Sequence, residues 1–528
     1  MHCVHDMFIK RCIKYLEQSL HCCECIFDEY ILHDRDNFKI SIMDTFIEIY
    51  KLLTHVLIET GEIDKALVVS DRGRARALSD LLETKYSKFP QYGNNVIQTY
   101  AEVDSVFHAR KNEFCVLYFA LQLFHTVAVW VLARQKPPFF LAVDPQGFEY
   151  RQLPISQGNN ESEIIPQVVF AAYDAINVRS VLRCEDRSLD HLPESVQLIK
   201  SDDCLVRGDG QKEGDNSAPD QNEREMAPNR EKNFEGNTNP LEILYSKLIA
   251  PVMQNLAHED VVIVPDGPLH MVPFAALRDP ETGLFLSEMK RIRLVPSLKT
   301  LKSLQECPSD YHSKTGALVV GAPESGAVMF QGQEITFSPL PEARREATVI
   351  GNILGVEPLL GAQATKDFIK QRLHEGVAVI HIAAHGSTKG EIVLAPGTLT
   401  GARKIPEEEK YLLTMQEVQE TRIRAQLVVL SCCHSGRGEI KAEGIVGISR
   451  GFLAAGARAV VASLWGIDDE ATLVFMVSFY TCLKMGKSAS KSLQQAMKDV
   501  REDKDYEEPK HWAPFFLIGD DVTINFQK

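Results

Sequence analysis

Val377-Ala-Val-Ile-His-Ile-Ala-Ala-His-Gly386 and Leu427-Val-Val-Leu-Ser-Cys-Cys-His-Ser-Gly436 are two short apolar runs that each end on a reactive side chain and a glycine. Brief continuous apolar runs rich in β-branched residues read as strands covered on both faces, the mark of a parallel sheet. In open α/β sheets, ligands and chemistry sit just beyond the carboxyl ends of such strands. If the two strands are neighbours, His385 and Cys433 meet at one rim, the arrangement a Cys/His nucleophilic site requires.

The two-residue period of a strand sorts the remaining side chains. His381 and His385 are four apart and point the same way, but on a strand they are separated by about four rises of 3.3 Å, too far to share one metal. His381 is therefore expected in the core. Cys432 alternates to the opposite face from Cys433 and is expected to pack there. A thiol of ordinary pKa is mostly protonated at neutral pH, so Cys433 needs an imidazole nearby, and His385 supplies one. The backbone amides of Gly386 and Cys433 are candidates to face a developing oxyanion.

Outward from these runs, strands and helices alternate. Strands are expected at 261–264, 317–320, 459–464 and 515–518, and helices at 240–256, 342–354, 365–375, 444–455, 471–484 and 488–501. Such alternation predicts an α/β core, 240–519, with a mostly parallel sheet and helices on both faces. Ahead of it, residues 115–143 hold three β-rich runs joined by turns, a small antiparallel lobe within 114–200. Residues 203–239 are dense in Asp, Glu, Gly, Asn, Gln and Lys, too poor in apolar side chains to repay ordering, and read as a disordered insertion. Residues 1–86 are helical, with a helix, a turn at Glu59-Thr60-Gly61-Glu62 and a second helix resembling a tetratricopeptide-type (TPR-like) unit. One such unit does not bury its own face, so it caps a longer array or docks on the domain C-terminal to it. A helical linker, 87–113, and a tail, 520–528, complete the division.

Composition narrows the function. A net charge of −15 and a pI near 5.6 argue against nucleic acid or an anionic membrane as the main partner. No apolar run is long enough to span a bilayer, and the N-terminus lacks a secretory build, so a cytoplasmic protein is expected. The 12 cysteines are irregularly spaced and several lie in apolar runs, which suits reduced thiols. Cys22-Cys23-Glu24-Cys25 lacks paired zinc spacing, and no metal or cofactor is expected. Gly321-Ala-Pro-Glu-Ser-Gly326 lacks the lysine and the full glycine pattern of a nucleotide loop.

Taken together, Val264-Pro-Asp-Gly-Pro-Leu-His-Met-Val-Pro-Phe-Ala-Ala-Leu277, His381-Ile-Ala-Ala-His-Gly386, Leu430-Ser-Cys-Cys-His-Ser-Gly436, Gly451-Phe-Leu-Ala-Ala-Gly-Ala-Arg-Ala-Val-Val-Ala-Ser-Leu-Trp465 and His511-Trp-Ala-Pro-Phe-Phe-Leu-Ile-Gly519 resemble the CHAT domain peptidases. That family is grouped with caspases, separases and gingipains, and the resemblance covers 114–519. It implies a caspase-like fold, with His385 as general base and Cys433 as nucleophile forming a thioester. Family members often carry tetratricopeptide repeats upstream, which favours that reading of 40–82, including Ser70-Asp-Arg-Gly-Arg-Ala-Arg-Ala77. Where the family usually has Ser-Ala-Cys, this chain has Ser431-Cys432-Cys433, a bulkier neighbour for the nucleophile. Ser463-Leu-Trp-Gly-Ile-Asp-Asp-Glu470 looks like the separase segment whose carboxylate receives a basic P1 side chain, which implies that role for Asp469, with Asp468 beside it. Helix capping is the competing role for either aspartate. The expected function is a cysteine endopeptidase acting on a protein or peptide substrate, regulated by TPR-like helices that also bind protein partners. The alternative is a catalytically silent scaffold.

Overall fold

A computed structural model describes residues 2–29, 36–86, 97–108, 113–122, 126–143, 164–176, 178, 239–387, 389–397 and 405–526. The organising element is one eleven-stranded sheet. Its strands in chain order are β1 (Cys115–Leu121), β2 (Val127–Ala133), β3 (Phe139–Val143), β4 (Asp260–Val264), β5 (Arg291–Leu294), β6 (Ala317–Pro323), β7 (Leu359–Gly361), β8 (Val379–Ala383), β9 (Leu427–Ser431), β10 (Ala459–Ser463) and β11 (Phe515–Gly519). Across the sheet they lie in the order β3-β2-β1-β4-β5-β11-β10-β9-β8-β6-β7.

Two parallel blocks meet in the middle. β7, β6, β8, β9 and β10 pair in parallel, as do β1, β4, β5 and β11, and the blocks join through the antiparallel pair β10–β11. The mostly parallel sheet with covering helices is the fold the strand pattern predicts. β1, β2 and β3 form the expected antiparallel meander, and β1 pairs in parallel with β4, so the meander extends the same sheet. The expected insertion at 203–239 lies outside the described residues except for Asn239, whose side chain accepts from Leu241 N and caps the helix Pro240–Leu248.

Side chains alternate between two cores, as a doubly covered sheet requires. Val379, Leu427, Val429, Val461 and Cys433 join one cluster with the helices Asp469–Lys484 and Ala489–Arg501. Ile380, Ile382, Val428, Leu430 and Cys432 join the other with the helices Lys366–Glu375 and Ile448–Ala454. His381 is fully buried, its Nδ1 bonded to Tyr480 Oη at 3.2 Å and its Nε2 3.1 Å from Glu346 Oε1.

β5 is not among the strands expected from the sequence, because Arg291 and Arg293 obscure its pattern. Both arginines are paired. Arg291 reaches Asp260 at 2.7 Å, and Arg293 bonds Gly519 O at 3.2 Å and lies 3.4 Å from Asp520. The expected helix at 444–455 is two elements: Gly444–Val446 pairs with Glu439–Lys441 as a hairpin, and the helix begins at Ile448.

The helices His2–Glu29, Asp36–Glu59, Ile63–Arg72 and Arg76–Tyr86 form the N-terminal unit, with Gly61 at φ +80° turning the chain between the second and third. Their apolar face packs on Val116, Tyr118, Trp130, Val262 and Leu298, so the unit docks on the sheet. The Ser70–Ala77 stretch is the clamp. Asp71 accepts from Leu298 N and Lys299 N at 2.7 and 3.1 Å, at the start of the helix Leu298–Gln305. Arg74 pairs with Asp266 at 2.9 Å and lies over the Tyr118 ring, while Arg72 bonds Glu24 within the unit. Among the described residues, no group of three His, Cys, Asp or Glu is placed to hold a metal ion, and no helix is long and apolar enough to cross a membrane.

Candidate active site

The register of β8 and β9 decides which side chains meet. Ala383 stands opposite Ser431, the last pair of the ladder, so both strands end two residues short of His385 and Cys433, and Cys433 packs on the face of the Asp469–Lys484 helix. The two strand ends touch. A Cβ on Gly386 would lie 2.3 Å from Cys433 O and 3.2 Å from Cys432 Cβ, so only glycine fits beside the nucleophile turn. Cys432 points to the other face, where its thiol donates to Ile382 O at 3.4 Å, and this second core receives its bulk.

His385 is held by an acceptor that no residue type announces. Its Nε2 lies 2.8 Å from the carbonyl oxygen of Ser338, which accepts only, so the proton is on Nε2 and Nδ1 is the ring's basic nitrogen. Ser338 precedes the helix Pro341–Leu354, and the neighbouring Phe337 tilts against the imidazole at 5.6 Å. A small cluster containing Phe330, Val393 and Tyr411 backs Phe337.

Three elements converge on Cys433. Ile467 N donates to its sulfur at 3.4 Å. At the Gly386–Ile392 bridge, Val393 N donates to His385 O and Ser387 N donates to Glu391 O. Because a trans peptide points its C=O and N–H in opposite directions, the Gly386 amide is turned away from Val393. The Cys433 thiol has no exposed surface, and His385 is 4% exposed.

His434 follows Cys433 directly in sequence. Its φ is +57°, it is buried, and burial, with the Arg437 charge second, pushes its pKa down to about 3. Since this lies below the unfolded value of about 6.5, neutral His434 contributes stability that is present above pH 6.5 and lost as pH falls toward 3. His434→Asn, which tolerates the left-handed backbone, is expected to flatten that loss by roughly 2 kcal/mol between pH 7 and pH 5. Urea unfolding followed by tryptophan emission at the two pH values checks this, and parallel losses in both proteins refute it.

The two aspartates have different partners. Asp468 caps the helix Asp469–Lys484 by accepting from Ala471 N at 2.8 Å. Asp469 is 4% exposed, and its Oδ2 accepts from Glu342 N at 3.2 Å, so it sits between the starts of two helices. Glu342 and Ser338 flank one short segment, which joins Asp469 to the orientation of His385.

This geometry can be set beside known proteins. The model of the CHAT domain matches residues 238–520. Tetratricopeptide repeat protein 28 of Mus musculus is 28% identical over 578 residues, covering 93% of this chain and 23% of that protein. Its Homo sapiens counterpart is 27% identical over 572 residues with the same coverage. The chain thus spans about a quarter of the length of these relatives. Among solved structures, the Saccharomyces cerevisiae separase–securin complex aligns with 98% of this chain and 40% of that chain, at a TM-score of 0.48 and 11% identity. The Arg-specific cysteine proteinase gingipain R aligns with 55% of this chain and 68% of that chain, at a TM-score of 0.36 and 13% identity.

Proposed function

The chain belongs to the CHAT domain family, and on that premise we propose that it is a cysteine endopeptidase in which Cys433 is the nucleophile and His385 the general base. The observation that carries this reading is the Nε2–H bond from His385 to Ser338 O, which leaves Nδ1 basic at a strand end that abuts the turn of Cys433. In this mechanism Nδ1 takes the thiol proton and the thiolate attacks the peptide carbonyl. The amides of Gly386 and Cys433 receive the oxyanion. Protonated His385 returns its proton to the leaving amine, and a thioester remains on Cys433. Water then attacks the thioester with His385 again as base, releasing the acid and restoring the thiol. Asp469 is the proposed acceptor for a basic P1 side chain, with Asp468 beside it, a charge-assisted pairing that favours Arg. The substrate is a protein or peptide, and the N-terminal helices regulate access and contact protein partners.

A second reading, a catalytically silent scaffold, is favoured by the complete burial of the Cys433 sulfur, which a substrate reaches only after its cover moves. One experiment separates the two. The purified chain is incubated with electrophilic peptide probes carrying Arg or Ala at P1, and adducts are located by peptide mass mapping. The peptidase reading expects an adduct on Cys433, faster with Arg, and none with Cys433→Ala. An unlabelled parent that remains fully folded supports the scaffold.

A further inference from the structure

The ladder between β9 and β10 pairs 427–429 with 459–461 and stops there, short of the nucleophile. Beyond it, a serine pair takes over. Ser463 Oγ donates to Cys432 O at 2.6 Å, Ser463 N donates to Ser435 Oγ at 3.0 Å, and Ser463 O accepts from Gly436 N at 2.8 Å. Ser435 Oγ donates in turn to Leu430 O at 3.1 Å. Both serines are at most 1% exposed, and both hydroxyl protons are committed to carbonyls of the segment that carries Cys433.

The bond to Cys432 O has the largest consequence, because that oxygen belongs to the same peptide group as the Cys433 amide. With the peptide trans, a carbonyl held toward β10 turns the Cys433 N–H the other way, into the gap between β8 and β9. Across that gap, the Gly386 amide is turned away from Val393, at the strand end that abuts Cys433 O. We infer that Ser463, backed by Ser435, is a positioning residue that fixes the plane of the Cys432–Cys433 peptide and thereby aims the Cys433 amide at the developing oxyanion.

This inference rests on the peptidase reading and deepens it. Removing the hydroxyl leaves buried Cys432 O with only the longer bond from Ser435 N at 3.4 Å, so the peptide plane is held less firmly. The deacylation and acylation steps both lose an aimed donor, while the thiolate and its base are untouched. Loss of a single oxyanion donor costs about 10²–10³ in kcat, and a mis-aimed one less, roughly tenfold or more.

The test compares parent, Ser463→Ala, Ser435→Ala and Ser463→Thr on a peptide amide substrate and, separately, on iodoacetamide, whose reaction with a thiol forms no oxyanion. Ser463→Ala is expected to lower kcat at least tenfold with KM nearly unchanged, leaving the rate and pH profile of Cys433 alkylation at parent values. Ser435→Ala is expected to act in the same direction with a smaller loss, and Ser463→Thr to restore turnover to within about threefold, as the hydroxyl is retained. Unchanged kcat in Ser463→Ala overturns the inference alone. Equal losses in hydrolysis and alkylation also overturn it, since they assign Ser463 to the thiol or the fold. A parent that neither turns over substrate nor takes the probe overturns the peptidase reading, and the inference with it.

Discussion

Gly386→Ala is expected to lower turnover by about 100-fold, because the site has no room for a single methyl group where its two halves meet. The added Cβ lies 2.3 Å from Cys433 O, whereas ordinary contact begins at 3.4 Å, so the strand ends must part by about 1 Å. That gap opens between the imidazole of His385 and the thiol of Cys433, and it displaces the two amides proposed to face the oxyanion. Displacements of this size typically cost about 10²-fold in rate. Forcing volume into a packed core also costs about 1–3 kcal/mol of stability. Gly397→Ala is the control: its Cβ meets only Asp367 Oδ2 at 3.3 Å, the far end of a side chain that can turn aside, and its activity and melting point should match the parent. Steady-state kinetics and thermal unfolding of both variants decide the matter. Parent-like turnover by Gly386→Ala would separate the 386–433 contact from catalysis.

How far the site is visible in the chain depends on what holds each group. Side chains whose position follows from strand period are legible. The four-residue spacing of His381 and His385 and the adjacency of Cys432 and Cys433 assign each to a face by alternation alone; Cys432 and Cys433 lie in opposite cores, and His381 is buried against Tyr480 and Glu346. Ser338 is not legible, because it acts through its carbonyl and any residue offers one; only the path of the chain brings it to His385. Ser463 lies in plain view inside a motif of the family, yet its role depends on where a ladder stops, which a strand pattern does not mark. β5 escapes because two arginines at 291 and 293 mask the alternation with Ile292 and Leu294, a period of two that remains readable once buried arginines are allowed. The Ser70–Ala77 stretch reads in sequence as a repeat signature. In the fold its charges are divided between the unit and the sheet domain, and the pairing of Asp71 with residues more than two hundred positions away has no local signal.

The same long-range charge pairing makes Glu443→Ala the second large expected effect, this time on the docking of the N-terminal helices. Glu443 lies in the turn of the hairpin that follows Cys433, between Glu439–Lys441 and Gly444–Val446, and its carboxylate accepts from Ala77 N at 2.9 Å and Leu78 N at 3.1 Å, at the start of the helix Arg76–Tyr86. Arg450 lies 3.4 Å from the same carboxylate and holds Asp36 through two bonds, at 2.6 and 3.1 Å. Asp36 opens the helix Asp36–Glu59, and farther along it Asp44 accepts from Ala442 N at 2.7 Å. One hairpin therefore grips two N-terminal helices, through the buried Glu443 and the half-buried Asp44. Burial pushes the Glu443 carboxyl up, against the pull of Arg450 and of the two helix-start amides. Truncation to alanine leaves the Ala77 and Leu78 amides without their acceptor and Arg450 with Asp36 alone, and breaking a buried pair in this way costs up to about 3–5 kcal/mol. Glu443→Gln keeps an oxygen for the amides and should cost less. A chain of several packed units need not unfold in one step, so the informative measurement is hydrogen exchange at the amides of Ala77 and Leu78 and along 36–86. The expected result is exchange faster by at least a hundredfold in Glu443→Ala across that region, with the amides of β8 and β9 little changed. Uniform protection in both variants would show that apolar packing alone docks the unit, and that the hairpin behind the nucleophile carries no load from the helices it touches.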